Sequence, residues 1–250
     1  MNVDDGRFAE LLQANGIILS SEQSELFDAY YRELAAWNDK MNLTAITERK
    51  QVYIKHFYDS ASLSFFISFR DIDTVADIGS GAGFPGIPLK ILFPHIRLTL
   101  VDSLAKRVRF LNHIVETLGL KDVACLHARA EDAARQASLR DRFDLVTARA
   151  VARLNVLAEL CLPFVRKDGL FAAMKGANAE EELEEAKTSL RELRSEFNGV
   201  YKFQLPDDSG LRHIILIRKY DRTPSKYPRK AGLPERAPLK NIQKNVPRET

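Results

Sequence analysis

Cysteine is nearly absent from this chain of 250 residues: Cys125 and Cys161 are the two, and neither has a second thiol or a pair of histidines nearby. A disulfide framework and a zinc site are therefore not expected, and both thiols read as core groups in a reducing compartment. No apolar run reaches the roughly 18 residues of a membrane span, and the first residues, with Asp4 and Asp5, lack the basic and apolar regions of a secretory signal. A cytoplasmic protein with no membrane association is expected. Internal repeats are absent, and so is any G-x-S-x-G elbow. His56, Asp59 and Ser60 are the residue types of a hydrolase triad, but on one helix at these spacings they project side by side and present no nucleophile. A polar cluster tying that helix to its neighbour, or a role beside a cofactor, is the alternative.

What is present suits a globular domain. Hydrophobic residues make up 45% and charged residues 28%, and the length allows one sizeable core with a small accessory region. The net charge of +3 is uneven: ten of the 37 Lys/Arg but three of the 34 Asp/Glu lie from Arg218 onward, a local +7 that leaves −4 for residues 1–217. A basic end of this kind suggests contact with a polyanion.

The chain is organised around Val75-Ala76-Asp77-Ile78-Gly79-Ser80-Gly81-Ala82-Gly83-Phe84-Pro85-Gly86. An apolar lead, a carboxylate, four glycines and a following apolar run read as strand, turn and helix. Glycine lets a ligand approach the backbone, and the helix start offers unpaired N–H groups. Gly81, Gly83 and Gly86 fit the dinucleotide pattern G-x-G-x-x-G, while Asp77, Gly79, Gly81 and Gly83 fit the D-x-G-x-G-x-G turn of S-adenosylmethionine (SAM) enzymes. An anion at the mouth of the turn would suit an ammonium and a sulfonium and repel a pyrophosphate, so Asp77 favours SAM.

Residues 1–70 read as a helical region. Ser20 and Gln23 form a capping-box signature, and Leu26, Phe27, Tyr30, Tyr31, Leu34 and Trp37 make a helical stripe behind it; Ile54, Phe57, Tyr58 and Ala61 continue the period in a third helix. Residues 71–219 alternate strands and helices, predicting an α/β, Rossmann-like, mainly parallel sheet closed by an antiparallel hairpin. The strand from Arg97 to Val101 ends at Asp102, 19 residues beyond Gly83 and placed for ribose hydroxyls. A third strand, Val123 to His127, runs into Arg129-Ala130-Glu131-Asp132, where an adenine could sit. A fourth, Phe143 to Ala148, brings Arg149 and Arg153 beside the crevice, with a salt bridge as the bland alternative for Arg149. A helix is expected over residues 179–197, its stripe ending at Phe197, before strands at Val200 to Leu205 and His213 to Ile217. Residues 220–250 hold five of the ten prolines, so Lys226-Tyr227-Pro228-Arg229-Lys230 is expected to be extended and exposed, with Tyr227 free to stack on a base.

The glycine turn taken together with His56-Phe57-Tyr58-Asp59-Ser60, Val101-Asp102-Ser103, Arg129-Ala130-Glu131, Thr147-Ala148-Arg149-Ala150-Val151-Ala152 and Tyr227-Pro228-Arg229-Lys230 resembles the RsmG (GidB) family of bacterial 16S ribosomal RNA guanine-N7 methyltransferases. The resemblance runs from the helical region to about Leu239. It implies a class I SAM-dependent methyltransferase with SAM contacts at Gly79, Phe84, Ala130, Glu131 and Arg149. Asp102 for ribose follows the general methyltransferase pattern, and Asp77 and Gly81 belong to the turn. The implied partner is 16S rRNA, on naked RNA or in small-subunit particles, with a monomeric enzyme and no metal. Guanine N7 attacks through a free lone pair, so no general base is required, and Arg149 or Arg153 could orient the base through O6. N7 faces the deep groove of A-form RNA, which points to a loop target. A SAM enzyme acting on a small molecule or protein, a nicotinamide dehydrogenase and a non-catalytic RNA-binding protein are the alternatives.

Overall fold

The computed structural model describes residues 3–149, 151–176 and 179–239. Seven strands form one sheet: β1 (Thr74–Ile78), β2 (Arg97–Asp102), β3 (Val123–His127), β4 (Phe143–Arg149), β5 (Val165–Lys175), β6 (Ser195–Gln204) and β7 (Leu211–Lys219). Their order is β3-β2-β1-β4-β5-β7-β6. The first five pair in parallel, and β7 pairs antiparallel with both β5 and β6. The strand order reverses between β1 and β4, and a crevice opens there beyond the strand ends.

Alternation along the strands builds a core on each face. Val75, Leu98, Leu100, Leu145 and Ala172 enter one core, while Ala76, Val101, Val146, Phe171 and Ala173 enter the other. The first face is covered by α4 (Gly86–Leu92), α5 (Ala105–Thr117) and the N-terminal helices; the second by α6 (Ala130–Ala133), α7 (Leu154–Cys161) and α8 (Ala179–Glu192). Cys161 is buried in the second core, and Cys125 is partly exposed.

The N-terminal helices are α1 (Val3–Gln13), α2 (Ser21–Met41) and a helical run over residues 49–65, here α3. They share their core with the sheet: Phe8, Leu12, Phe27, Tyr30, Leu34 and Phe57 join Val75 and Leu100 in one cluster. The Ser20–Gln23 capping box is formed, and the Gln23 amide also donates to the carbonyls of Ile91 and Leu92, so the start of α2 satisfies the end of α4. Within α3 the backbone is a π-helix over Tyr53–Tyr58. Tyr53, Ile54, Phe57 and Tyr58 are buried along this turn.

Two expectations are corrected. The helix expected to reach Phe197 stops at Glu192; Arg194 takes a left-handed φ of 59° and Ser195 begins β6, leaving Phe197 on the outer face. Phe197 fits the helical period, yet the pairing of β6 with β7 prevails over it, with a register shift between Phe197 and Gly199. The C-terminal segment is anchored at Tyr227, Pro228 and Arg229, where it was expected to be free, while Lys226 and Lys230 are exposed as expected. Tyr227 is 5% exposed and donates to Glu192, and Arg229 pairs with Glu159 at 2.6 Å. The acids beneath this segment are buried or partly buried and recruit its cations. The expectation for residues 240–250 lies outside the described residues.

Lys219 illustrates the same demand. Its side chain is fully buried, and its ammonium meets Asp141 and the carbonyls of Leu162 (2.8 Å) and Val165 (2.6 Å). Lys219→Met is expected to leave Asp141 with the longer Arg140 contact at 3.8 Å in place of its buried partner and to lower unfolding free energy by about 3 kcal/mol, measurable in urea titrations.

Candidate active site

The glycine turn leaves β1 at Ile78 and enters α4 at Gly86. Gly83, at φ 95°, lies where a Cβ would stand 2.5 Å from Ile87 Cδ1 and 2.7 Å from the Tyr30 hydroxyl, so the turn presses against α2 there. Tyr30 also donates to the Ala82 carbonyl. Gly81 is the opposite case: at φ 59° a Cβ would meet nothing nearer than the Gly79 carbonyl at 3.9 Å, and the space above it belongs to the cleft. The back of the turn is thus supported by the helical layer, and its front is open.

Asp77 is not at that mouth. It is wholly buried, its Oδ2 accepting the Gly86 N–H at 3.0 Å and its Oδ1 the Thr147 hydroxyl at 3.2 Å. Burial pushes its pKa up to about 7 against the lowering effect of those hydrogen bonds. The expected electrostatic partner of a sulfonium is therefore a brace behind the turn. The period-2 alternation of β1 turns Asp77 under the turn, where it joins β1, β4 and α4.

Asp102, at the end of β2, does reach the cleft. Its Oδ2 accepts the Gly81 N–H at 2.9 Å and its Oδ1 the Leu104 N–H at 2.9 Å, and Arg107 lies 3.4 Å away. Oδ2 also takes the Arg107 contact, while Oδ1 retains a further lone pair for a hydroxyl donor.

Three adjoining cavities follow the strand ends. One, of about 190 Å³, is bounded by Gly79, Ser103, Ala130, Glu131, Val151 and Val156 together with Gly232 and Glu235. A second, of about 460 Å³, lies over the turn between Gly79, Gly81, Phe84, Asp102, His56 and Arg149. Gly79, Ser103 and Val151 border both. The third, also about 460 Å³, is lined by Lys55, His56, Asp59, Arg149, Lys175, Glu182 and Arg212. Its charged lining has two more cations than anions when His56 is neutral.

Arg149 and His56 stand where the second and third cavities meet. Arg149 pairs with Asp59 at 2.9 Å, and its guanidinium covers the Phe84 ring at 5.0 Å. Asp59 also lies 3.2 Å from Arg212. The His56 ring stacks on Phe84 at 4.6 Å, and its Nε2 is 2.9 Å from the Thr44 hydroxyl. Burial and then Arg149 lower its pKa to about 3, so it is a neutral ring at physiological pH. The salt bridge weighed for Arg149 is present, and His56 and Asp59 are the polar cluster that secures α3 to the sheet.

Gly79, Gly81, Phe84, Asp102, Ala130, Glu131 and Arg149 thus border the cavities. Arg153 does not: it is half-exposed and paired with Glu181 and Glu185 of α8. The acids crowding the first half of that helix draw it away from the crevice, which removes the expected base-orienting contact. Lys55, Arg212, Gly232 and Glu235 had no local signal in the sequence. Arg212 arrives through antiparallel pairing, and Gly232 through a chain reversal more than a hundred residues after Glu131. Among the described residues no group of three or more His, Cys, Asp or Glu could hold a metal ion.

A doubly wound sheet of this order, an antiparallel closing strand and a glycine turn under a cleft define the class I SAM-dependent methyltransferase fold. The O-methyltransferase of Bacillus cereus in complex with SAH superposes with a TM-score of 0.54 at 15% identity, over 76% of this chain and 90% of that one. A SAM-dependent O-methyltransferase from Thermotoga maritima does so at 0.50 and 16% identity, over 83% and 74%. More closely, a family model described as rRNA small subunit methyltransferase G matches residues 23–209. Proteins named Ribosomal RNA small subunit methyltransferase G from Bacillus licheniformis and Brevibacillus brevis are 51% and 52% identical, over 96% and 93% of this chain and 99% and 98% of theirs. The chain belongs to the GidB family of rRNA small subunit methyltransferases.

Because Asp77 is raised to about 7 in the fold and sits near 3.9 in an unfolded chain, the folded state retains a proton between about pH 4 and 7 that the unfolded state has released. The stability this group contributes is full below the lower value and is lost as pH rises through the upper one, at up to ~1.4 kcal/mol per pH unit. In Asp77→Asn the amide can accept from Gly86 and donate to Thr147. That variant is expected to fold and to lose this downward slope in denaturation series across the window.

Proposed function

We propose that the protein transfers a methyl group from SAM to N7 of a guanine in a loop of 16S ribosomal RNA. What supports this reading most is that Arg149 borders both the cavity over the glycine turn and the basic cavity beside it. A donor in the first and a base in the second would meet at this residue.

The residues fit the cofactor: the space over Gly81 is one a Cβ would intrude on, and Asp102 keeps acceptor capacity at the cleft edge. Gly79, Gly81 and Phe84 would bound the methionine part, Asp102 the ribose, and Ala130 and Glu131 the adenine. When bound, SAM supplies a methyl group on a sulfonium. The chain's task is then positioning and charge placement. Guanine N7 has a lone pair and no proton to lose, which agrees with a His56 held neutral and engaged in stacking rather than poised as a base. Arg149, tied by Asp59, is a fixed donor for O6 beside N7. Lys55, Lys175 and Arg212 supply positive potential for the phosphates on either side of an extruded nucleotide. A cytoplasmic monomer working on small-subunit RNA or its particles completes the proposal.

Methylation by the purified protein with labelled SAM and 16S rRNA, followed by chemical cleavage at N7-methylguanine, is expected to reveal one guanine in a loop. Methyl transfer to a small molecule with none to RNA would overturn the assignment. Gly81→Ala is expected to lose about 1 kcal/mol of stability from its left-handed backbone. It should weaken SAM binding in calorimetry by about tenfold or more, since the new methyl enters the cleft.

A further inference from the structure

The Tyr227-Pro228-Arg229-Lys230 stretch takes no part in the reaction as derived, yet it is firmly anchored. Arg140 donates to the carbonyls of Thr223 (2.9 Å), Pro224 (3.1 Å) and Tyr227 (2.9 Å), and Arg135 to that of Pro228. Glu159, 1% exposed, accepts the Arg229 backbone N–H at 2.7 Å and its Nη2 at 2.6 Å. A buried carboxylate needs such a partner, and removing it is strongly destabilising. Anchoring of this kind is more than a surface tail requires.

The chain beyond the anchor has a definite destination. The Gly232 N–H donates to Glu131 Oε1 at 2.7 Å, and Gly232 and Glu235 line the 190 Å³ cavity together with Ala130 and Glu131. Glu159 lies on α7 between Val156 and Leu160, both of which also line that cavity. One helix therefore supplies the apolar floor and the anchor of the segment that borders it.

We propose that residues 223–236 form a cofactor-binding strap, the outer wall of the cavity that takes the adenine ring, with Arg229–Glu159 as the positioning pair that sets Gly232 against Glu131; this rests on the reading that the cleft holds SAM. The strap borders the purine site beside Glu131, and Glu235 brings a carboxylate to the cavity lining, an acceptor suited to an exocyclic amine.

The test uses the full chain with S-adenosylhomocysteine as probe, in hydrogen exchange and calorimetry. Saturating ligand is expected to slow exchange in peptides covering residues 229–236 as well as in those covering the glycine turn. Arg229→Lys keeps the charge but loses the fork, and should weaken binding about tenfold. Glu235→Ala, on an exposed side chain, serves where Arg229→Lys fails to fold and should weaken binding about threefold. A strap that is only structural would lower the melting temperature of Arg229→Lys while leaving the affinity of the folded protein unchanged. Protection of the glycine turn without protection of residues 229–236 overturns the strap and leaves the cofactor reading standing. No binding to the wild type overturns both.

Discussion

The buried carboxylate of Asp77 is the contact on which the rest of the site depends. It accepts from the Gly86 amide at the start of α4 and from Thr147 on β4, and so fixes the turn between the two strands where the sheet order reverses. Asp77 is wholly buried, so losing it would take an acceptor from donors shielded from solvent. A turn held from beneath by a strand residue can offer its upper face to a ligand. The preorganisation required for an in-line displacement is thus built into the packing beneath the turn.

The helical N-terminal layer works from the other side. Tyr30 packs on Phe57 at 5.2 Å and on Phe84 at 5.5 Å, and His56 and Arg149 complete the enclosure of the Phe84 ring. The π-helical turn of α3 lets Phe57 and Tyr58 face the core while His56 and Asp59 reach the cavities. Packing and chemistry meet within four consecutive residues. Because the reaction proposed needs no proton transfer from the protein, rigidity of this enclosure is the property that matters.

Much of this was legible in the order of residues. The glycine turn, the alternation of strands, the capping box at Ser20 and the position of Asp102 all follow from local rules that act over a few residues, and the fold class follows from them. Asp77 was found by its motif but given the wrong orientation, since the face a strand residue takes depends on which neighbours pair with it. Arg153 and Phe197 went astray for a related reason: acids on a helix not yet placed drew one, and strand pairing overrode the helical period for the other. Arg229 carried a resemblance but no local hint of its partner, because Glu159 lies 70 residues earlier. Long-range ion pairs leave no periodic trace.

The cleft depends on segments far apart in the chain: Tyr30 supports the glycine turn from behind, and Gly232 borders the adjoining cavity. During translation the two segments are made some two hundred residues apart, so a nascent polypeptide has an unfinished pocket until Gly232 has emerged. A product ending before Tyr227 would lack a boundary of its cleft and would leave Glu159 buried without its Arg229 partner. Formation of the cleft is thereby postponed until both distant segments have been made.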